Sequence, residues 1–215
     1  MVACRGRVAL LEKHKPRQER AKRTYEAILT AAAELLIEVG VERISTNIVA
    51  ARARVSVPAL YRYFPNKYAV LNALSAAYMD QHTAIFQQWV DEQLGQDDPV
   101  FLVTNIGGLL ERIYAATQQQ VGGLELVQAV RAVEPLREVR LASHRAASNR
   151  LATVVAEILD RSVDELTLAQ AQLTVASAYA VVEAALEEDS LSAESMLSEG
   201  ARMIQLYWQA ILCAD

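Results

Sequence analysis

Apolar residues recur along most of this chain at intervals of three and four, the period of a helix with one buried face, and no stretch alternates as a half-buried strand does. The first such segment runs from about Arg17 to Val39, with Ile28, Ala32, Leu35, Leu36 and Val39 on one side. Gly40 is placed to stop it, and Val41 and Ile44 follow in a link that closes a small core. A long segment from about Tyr68 to Leu94 carries Leu71, Leu74, Tyr78, Ile85 and Trp89 at mostly helical intervals, and the turn-forming GQDDP at 95–99 closes it. Further helices are predicted from Val100 to about Gln120, Leu124 to Val133, Pro135 to Leu159, Asp164 to Glu187 and Ala193 to Leu212. Gly122-Gly123 and Pro135 mark breaks between them. Ser162 with Glu165 has the form of a capping box, and Ser192 suits the cap of the last helix. The expected fold class is all-α.

Between the first segment and the long one lies STNIVAARARVSVPALYRYFPNK, Ser45 to Lys67, which reads as two short helices with a tight joint. Ser45 or Thr46 caps a helix whose inward residues are Val49, Ala50 and Ala53, and Arg54 and Val55 make the joint. Ser56 caps the second helix and Pro58 sits in its first turn, where a missing N–H costs nothing. Leu60 and Phe64 give that helix a buried stripe, and Pro65 ends it at Phe64. Tyr61, Arg62 and Tyr63 cannot all fit on the stripe, so some point outward, where hydroxyls and a guanidinium can donate to phosphate oxygens or base edges.

The pattern filled by Thr46, Val49, Ala50, Ala53, Val55, Ser56, Leu60, Tyr61, Tyr63, Phe64 and Lys67 resembles the DNA-binding domain of TetR-type transcriptional regulators. One position departs from it: Arg54 stands where such proteins commonly have glycine, so either Arg54 is strained by about 1 kcal/mol or the turn differs slightly. The resemblance implies an amino-terminal three-helix domain with a helix-turn-helix, followed by a larger helical domain for effector binding and dimerisation. The basic opening residues read as a disordered arm at 1–16, followed by the DNA-binding domain at 17–67 and the larger domain at 68–215. Carried over position by position, the family's phosphate contacts fall on Thr46, Tyr61, Tyr63 and Lys67. Its base-edge contacts fall around Asn47, Val57, Pro58, Ala59 and Arg62. Arg62 is the sharpest candidate for specificity, because an arginine can hold guanine O6 and N7 bidentately, whereas Val57 and Ala59 offer apolar contact to thymine methyls.

Charge sharpens the picture. The total is −5, yet residues 1 to 67 hold 13 Lys/Arg against 6 Asp/Glu, net +7, and residues 68 to 215 hold 8 against 20, net −12. A basic first part suits the DNA polyanion through counterion release, while the acidic remainder stays off the phosphates. Arg17, Arg20, Lys22 and Arg23 crowd the start of the first helix, where the positive dipole end favours negative charge that phosphates can supply. At 215 residues with 53% hydrophobic content the chain is long enough for a modest domain and a larger one. No apolar run reaches about 18 residues, so no membrane span is expected. Cys4 and Cys213 form no metal-spaced pair and read as unpaired thiols of a cytosolic protein.

The two closing helices read as a surface for self-association. The segment containing Leu173, Ala176, Ala180, Val181, Ala184 and Ala185 is rich in small residues, so another helix can approach its axis closely. On the last helix Leu197, Ala201, Ile204, Trp208 and Ile211 form one stripe, and Met196, Gly200, Met203 and Tyr207 a flanking one, together wider than one core needs. The candidate dimer contacts are Ala176, Ala180, Ala184, Leu197, Ala201, Ile204 and Trp208, and the family resemblance implies a two-fold four-helix bundle there. Candidate effector-lining residues in the helical body are Phe86, Trp89, Asn105, Tyr114, Gln118, Glu134 and His144, with Ile106 and Leu126 beside them.

With three histidines, no phosphate-cradling glycine loop and no paired metal-ligand spacing, the sequence gives no support to catalysis, and neither a metal nor a cofactor is expected. The expected function is a cytoplasmic, nucleoid-associated regulator. It would bind an inverted-repeat operator in double-stranded DNA as a homodimer and be released by a small-molecule effector. The alternative is a nucleoid-bound adaptor that uses DNA as a docking surface and answers to a protein partner.

Overall fold

The computed structural model describes residues 16–94 and 105–212, and every regular element among them is helical. The helices are α1 Glu19–Arg43, α2 Thr46–Arg52, α3 Val57–Tyr63, α4 Lys67–Leu94, α5 Ile106–Gln119, α6 Gly123–Ala132, α7 Arg137–Ile158, α8 Glu165–Glu187 and α9 Ala193–Leu212. A single 3₁₀ turn, Glu134–Leu136, precedes α7, so the helix expected from Pro135 starts two residues later. The basic arm expected at 1–16 (Pro16 apart), the GQDDP turn, the start of the helix at Val100, and both cysteines lie outside the described residues.

The described chain packs as two units. One comprises the residues up to Tyr78 with Val121–Arg140, and the other Met79–Gln120 with the residues from Leu141 onward. The motif alone suggested a division at residue 67. The packing instead keeps the first turns of α4 with α1–α3, because Ala69, Val70, Leu71, Leu74 and Tyr78 are all buried.

In the first unit α1 supplies Ile28, Ala31, Ala32, Leu35 and Leu36 to the core, and Ile44 seals its end. Helical geometry in α1 is broken at Gly40, whose φ of 69° is the left-handed conformation that glycine reaches without a Cβ penalty. α6 lies against α1 through Gly122, also left-handed at φ 70°. A Cβ there would stand 2.9 Å from the Ala33 carbonyl oxygen, so only glycine permits this approach.

The second unit has one core, built from Phe86, Trp89 and Val90 of α4, Leu109, Leu110 and Ile113 of α5, Leu151 and Val155 of α7, Val175, Ala178 and Val182 of α8, and Leu197, Ala201, Ile204 and Trp208 of α9. α8 and α9 approach so closely that a side chain at Gly200 would collide with Val181. Ser192 caps α9 as expected, accepting the Ser195 N–H at 3.1 Å. The capping box expected at Ser162 and Glu165 is corrected: Asp164 is the cap of α8, its Oδ1 accepting both the N–H and the hydroxyl of Thr167 at 2.7 Å. A carboxylate is the stronger acceptor at a helix start, where the positive dipole end also favours its charge.

Candidate functional site

α2 and α3 form the expected helix pair, and each start is capped by the serine placed there. Ser45 Oγ accepts the Ile48 N–H at 3.4 Å, and Ser56 Oγ accepts the Ala59 N–H at 3.3 Å. Between them α2 ends in a Schellman turn, in which the Arg54 N–H reaches the Ala51 carbonyl at 3.1 Å and the Val55 N–H the Ala50 carbonyl at 3.0 Å. Arg54 itself adopts φ 55°. The turn therefore keeps the glycine-type geometry with a side chain in it, and the strain is real, about 1–2 kcal/mol for a residue with a Cβ.

Two sets of contacts hold the pair to α1. Val49, Ala50, Leu60 and Phe64 are fully buried, and Tyr25 of α1 packs on Phe64 and Tyr63 with ring centroids 5.1 and 6.0 Å apart. On the outside, Arg52 Nη1 donates to Glu34 Oε2 at 3.1 Å and to Glu38 Oε1 at 2.8 Å, while Nη2 donates to Glu38 Oε2 at 2.5 Å. These bonds, to Glu38 first and then Glu34, hold the guanidinium pKa above its ordinary value, and the Arg52 bond holds the Glu38 carboxyl below the usual range.

What remains outward on α3 is a compact polar and small-residue face. Pro58, Tyr61 and Arg62 are exposed and Val57 and Ala59 half-buried, with Asn47 exposed on α2. Thr46 Oγ1 and the Tyr61 hydroxyl lie 3.1 Å apart, tying the start of α2 to α3. Arg62 shares a surface recess with Arg17, Gln18 and Ala21 of the α1 start, and a neighbouring recess adds Arg20 and Thr24. The basic end of α1 thus borders the outward face of α3. Two candidates sit differently from the others. Tyr63 is buried in the aromatic cluster and contributes to both recesses. Lys67 is half-buried, its Nζ donating to the Val41 and Glu42 carbonyls at 3.2 and 3.1 Å and lying 5.3 Å from the Tyr68 ring centre.

The second unit encloses a cavity of about 40 Å³, room for a few water molecules. Of the effector candidates, Phe86 and Trp89 line it, and so does Ile106. His144 does not, but stacks on the lining residue Tyr179 with centroids 4.2 Å apart. Asn105 turns to Gln93 at 3.5 Å, and Tyr114 and Gln118 bond each other at 2.7 Å. Glu134 and Leu126 belong to the first unit. The sequence reading missed His82, Thr174, Tyr179 and Trp208 as wall residues. A signal existed for His82, which stands four residues after Tyr78 and four before Phe86, on the inward stripe of α4.

His82 is held neutral. Thr117 Oγ1 donates to the Ile113 carbonyl at 2.9 Å and lies within hydrogen-bond distance of His82 Nε2, at 3.2 Å. Burial pulls its pKa down to about 4 and pushes the Tyr179 hydroxyl up to about 12. Thr174 is also fully engaged, accepting the Trp208 Nε1–H at 2.9 Å and donating to the Gln170 carbonyl at 2.8 Å.

The dimer candidates divide into two groups. Ala176 and Ala180 are exposed and Ala184 half-buried, and beside them Leu173, Met203, Leu206 and Tyr207 stand open to solvent. Leu197, Ala201, Ile204 and Trp208 are corrected: they fill the core of their own chain, and of the flanking stripe Met203 and Tyr207 are exposed while Gly200 is buried.

Residues 28–74 match the family model described as bacterial regulatory proteins, tetR family. The chain is 46% identical over 54 residues to tetracycline repressor protein class C of Escherichia coli, covering 25% of each chain. It is 44% identical over 57 residues to the class G protein of Vibrio anguillarum, covering 26% of this chain and 27% of that one. The match thus spans about a quarter of the length of these curated relatives. The fold extends further. A structure from Syntrophomonas wolfei assigned to the TetR family superposes with a TM-score of 0.72 at 16% identity, over 90% of this chain and 99% of that one. SmeT, the repressor of the Stenotrophomonas maltophilia multidrug efflux pump SmeDEF, gives 0.66 at 20% identity over 88% and 92%.

Arg54→Gly should relieve the left-handed strain and stabilise the protein by about 0.5–1 kcal/mol, net of glycine's larger unfolded-state entropy, seen as a higher melting temperature. His82 has a folded pKa below its unfolded value, so the unfolded chain binds the proton more readily and stability falls as pH drops from about 6.5 to about 4. The full effect is ~3 kcal/mol, and His82→Gln should remove that portion of the acid sensitivity in paired melts across the window.

Proposed function

With an amino-terminal domain that belongs to the tetR family of bacterial regulatory proteins, we propose that this chain is a DNA-binding transcriptional regulator, a repressor that holds an inverted-repeat operator as a homodimer and is released by a small-molecule effector. The observation that carries the reading is the outward face of α3, held in place by a fully buried inner face and bordered by the basic start of α1.

Placed in a major groove, α3 presents Arg62 to base edges and Pro58, Val57 and Ala59 to thymine methyls, with Asn47 alongside. Thr46, Tyr61 and Lys67 take phosphates, the first two as a hydrogen-bonded pair. An ammonium has three donors, of which the Val41 and Glu42 carbonyls draw on two. Tyr63 acts from beneath, keeping α3 at its height above the core.

One seven-residue helix contacts few bases, so a unique site needs two copies related by a two-fold axis, with half-sites about 34–36 Å apart or a multiple of that spacing. The surface for pairing is the open small-residue face of α8, Ala176, Ala180 and Ala184, with Met203 and Tyr207 of α9. The cavity of the second unit is the effector site. SmeT has been solved in complex with triclosan, and it shares this fold at 22% identity and a TM-score of 0.63. A ligand that takes His82, Phe86 and Trp89 acts on α4, the helix that also carries Lys67 and Tyr68. A coupling of about 1–3 kcal/mol between ligand and operator suffices for a 5- to 150-fold change in affinity.

Selection of duplexes from a random pool should return an inverted repeat bound with a steep salt dependence. Arg62→Ala should relax preference at one base pair in each half-site, costing about 1–3 kcal/mol of discrimination. A selection returning no symmetric site overturns the reading. Ala180→Glu places a charge on the pairing face, so light scattering should find a dimer for the parent chain and a monomer for the variant, with operator affinity lost alongside.

A further inference from the structure

The wall of the cavity states what it accepts. Four aromatic side chains contribute to it, Phe86, Trp89, Tyr179 and Trp208, with Ile106, Leu109 and Leu151 among the aliphatic ones. No lysine, arginine, aspartate or glutamate stands among the lining residues, and the histidine there, His82, is neutral. A charged ligand would lose its hydration with no counter-charge among the lining residues to replace it. One donor in the wall is left over: Trp89 is 1% exposed, and its indole N–H finds no acceptor among the described residues. Its counterpart Trp208 is satisfied by Thr174. A buried N–H without an acceptor is costly, and a ligand oxygen that takes it removes that cost on binding.

We infer, resting on the effector-released reading above, that the effector is an uncharged, largely apolar molecule with an aromatic ring and a hydrogen-bond acceptor, which takes the Trp89 N–H. At about 40 Å³ the cavity is smaller than such a ring, so the ligand selects a state with the walls apart. Flexible aliphatic side chains at Ile106, Leu109 and Leu151 yield more readily than the stacked rings of His82, Tyr179 and His144.

Four one-ring probes of similar shape test this on the full chain by calorimetric titration: acetophenone, α-methylstyrene, benzoate and benzylammonium. Acetophenone should bind about tenfold more tightly than α-methylstyrene, which lacks the acceptor, and at least a hundredfold more tightly than either ion. Trp89→Phe should erase the preference for acetophenone over α-methylstyrene. Ala178→Leu, which fills the cavity, should abolish binding of both, with helical circular dichroism as the check on folding. The comparison among probes on the parent chain stands without any variant. Equal or tighter binding of either ion, no acetophenone binding up to its solubility, or equal binding of the two neutral probes overturns the inference. A preference for benzylammonium in particular would mean that Glu183, the buried carboxylate of this unit, reaches the ligand. A parallel operator titration separates the two readings: acetophenone that binds through Trp89 without loosening DNA leaves this inference standing and sinks release by effector.

Discussion

Seven residues do not hold a helix in water, and α3 is seven residues long. Its geometry is therefore a product of tertiary anchoring, and the outward face proposed to meet DNA is only as well placed as the inward face that is buried. Leu60 and Phe64 enter the core completely, and Tyr63 is wedged against Tyr25. α2, no longer, depends in the same way on Val49 and Ala50, with the Arg52 fork on Glu34 and Glu38 fixing its far end. The Arg54 turn sets the angle between them at a cost that the buried contacts offset. The placement of Arg62 and Tyr61 follows from this ring of contacts rather than from any preference of their own.

That fork has a further effect. Its three groups are partly exposed, so mobile ions weaken it. Under the proposed function, salt would act on this unit in two ways at once, by competing for the polyanion and by loosening the joint that orients α2. A count of phosphate contacts taken from a salt slope alone would contain both.

Much of the fold was legible in the sequence because helical periodicity, serine caps and glycine breaks pointed the same way. Ser56 and Ser192 cap as read, Ser45 takes the cap that the sequence offered to Ser45 or Thr46, and Gly40 and Gly122 sit in the left-handed region. Arg54 was legible as an exception, since the turn demanded a conformation that its side chain resists. Where two signals shared one spacing, the reading slipped: Ser162 with Glu165 and Asp164 with Thr167 both stand three apart, and the carboxylate won. The α9 stripes show a different limit. A pattern records that a face is covered but not by which neighbour, so Leu197, Ala201, Ile204 and Trp208 looked available while serving their own core. The cavity was least legible, because its wall and the surrounding core use the same residue types. Phe86 and Trp89 were found by helical spacing, whereas Tyr179 and Trp208 enter only once α8 and α9 are brought beside α4.

The distribution of indoles gives the molecule a built-in spectroscopic label. The chain has two tryptophans, and both belong to the second unit, one on α4 and one on α9. Emission excited beyond the tyrosine absorption therefore reports on that unit alone. The first unit carries Tyr25, Tyr61, Tyr63, Tyr68 and Tyr78 and is silent under the same illumination. Denaturation followed by indole emission and by helical ellipticity would trace different parts of one chain, and any gap between the two curves measures how independently the halves melt.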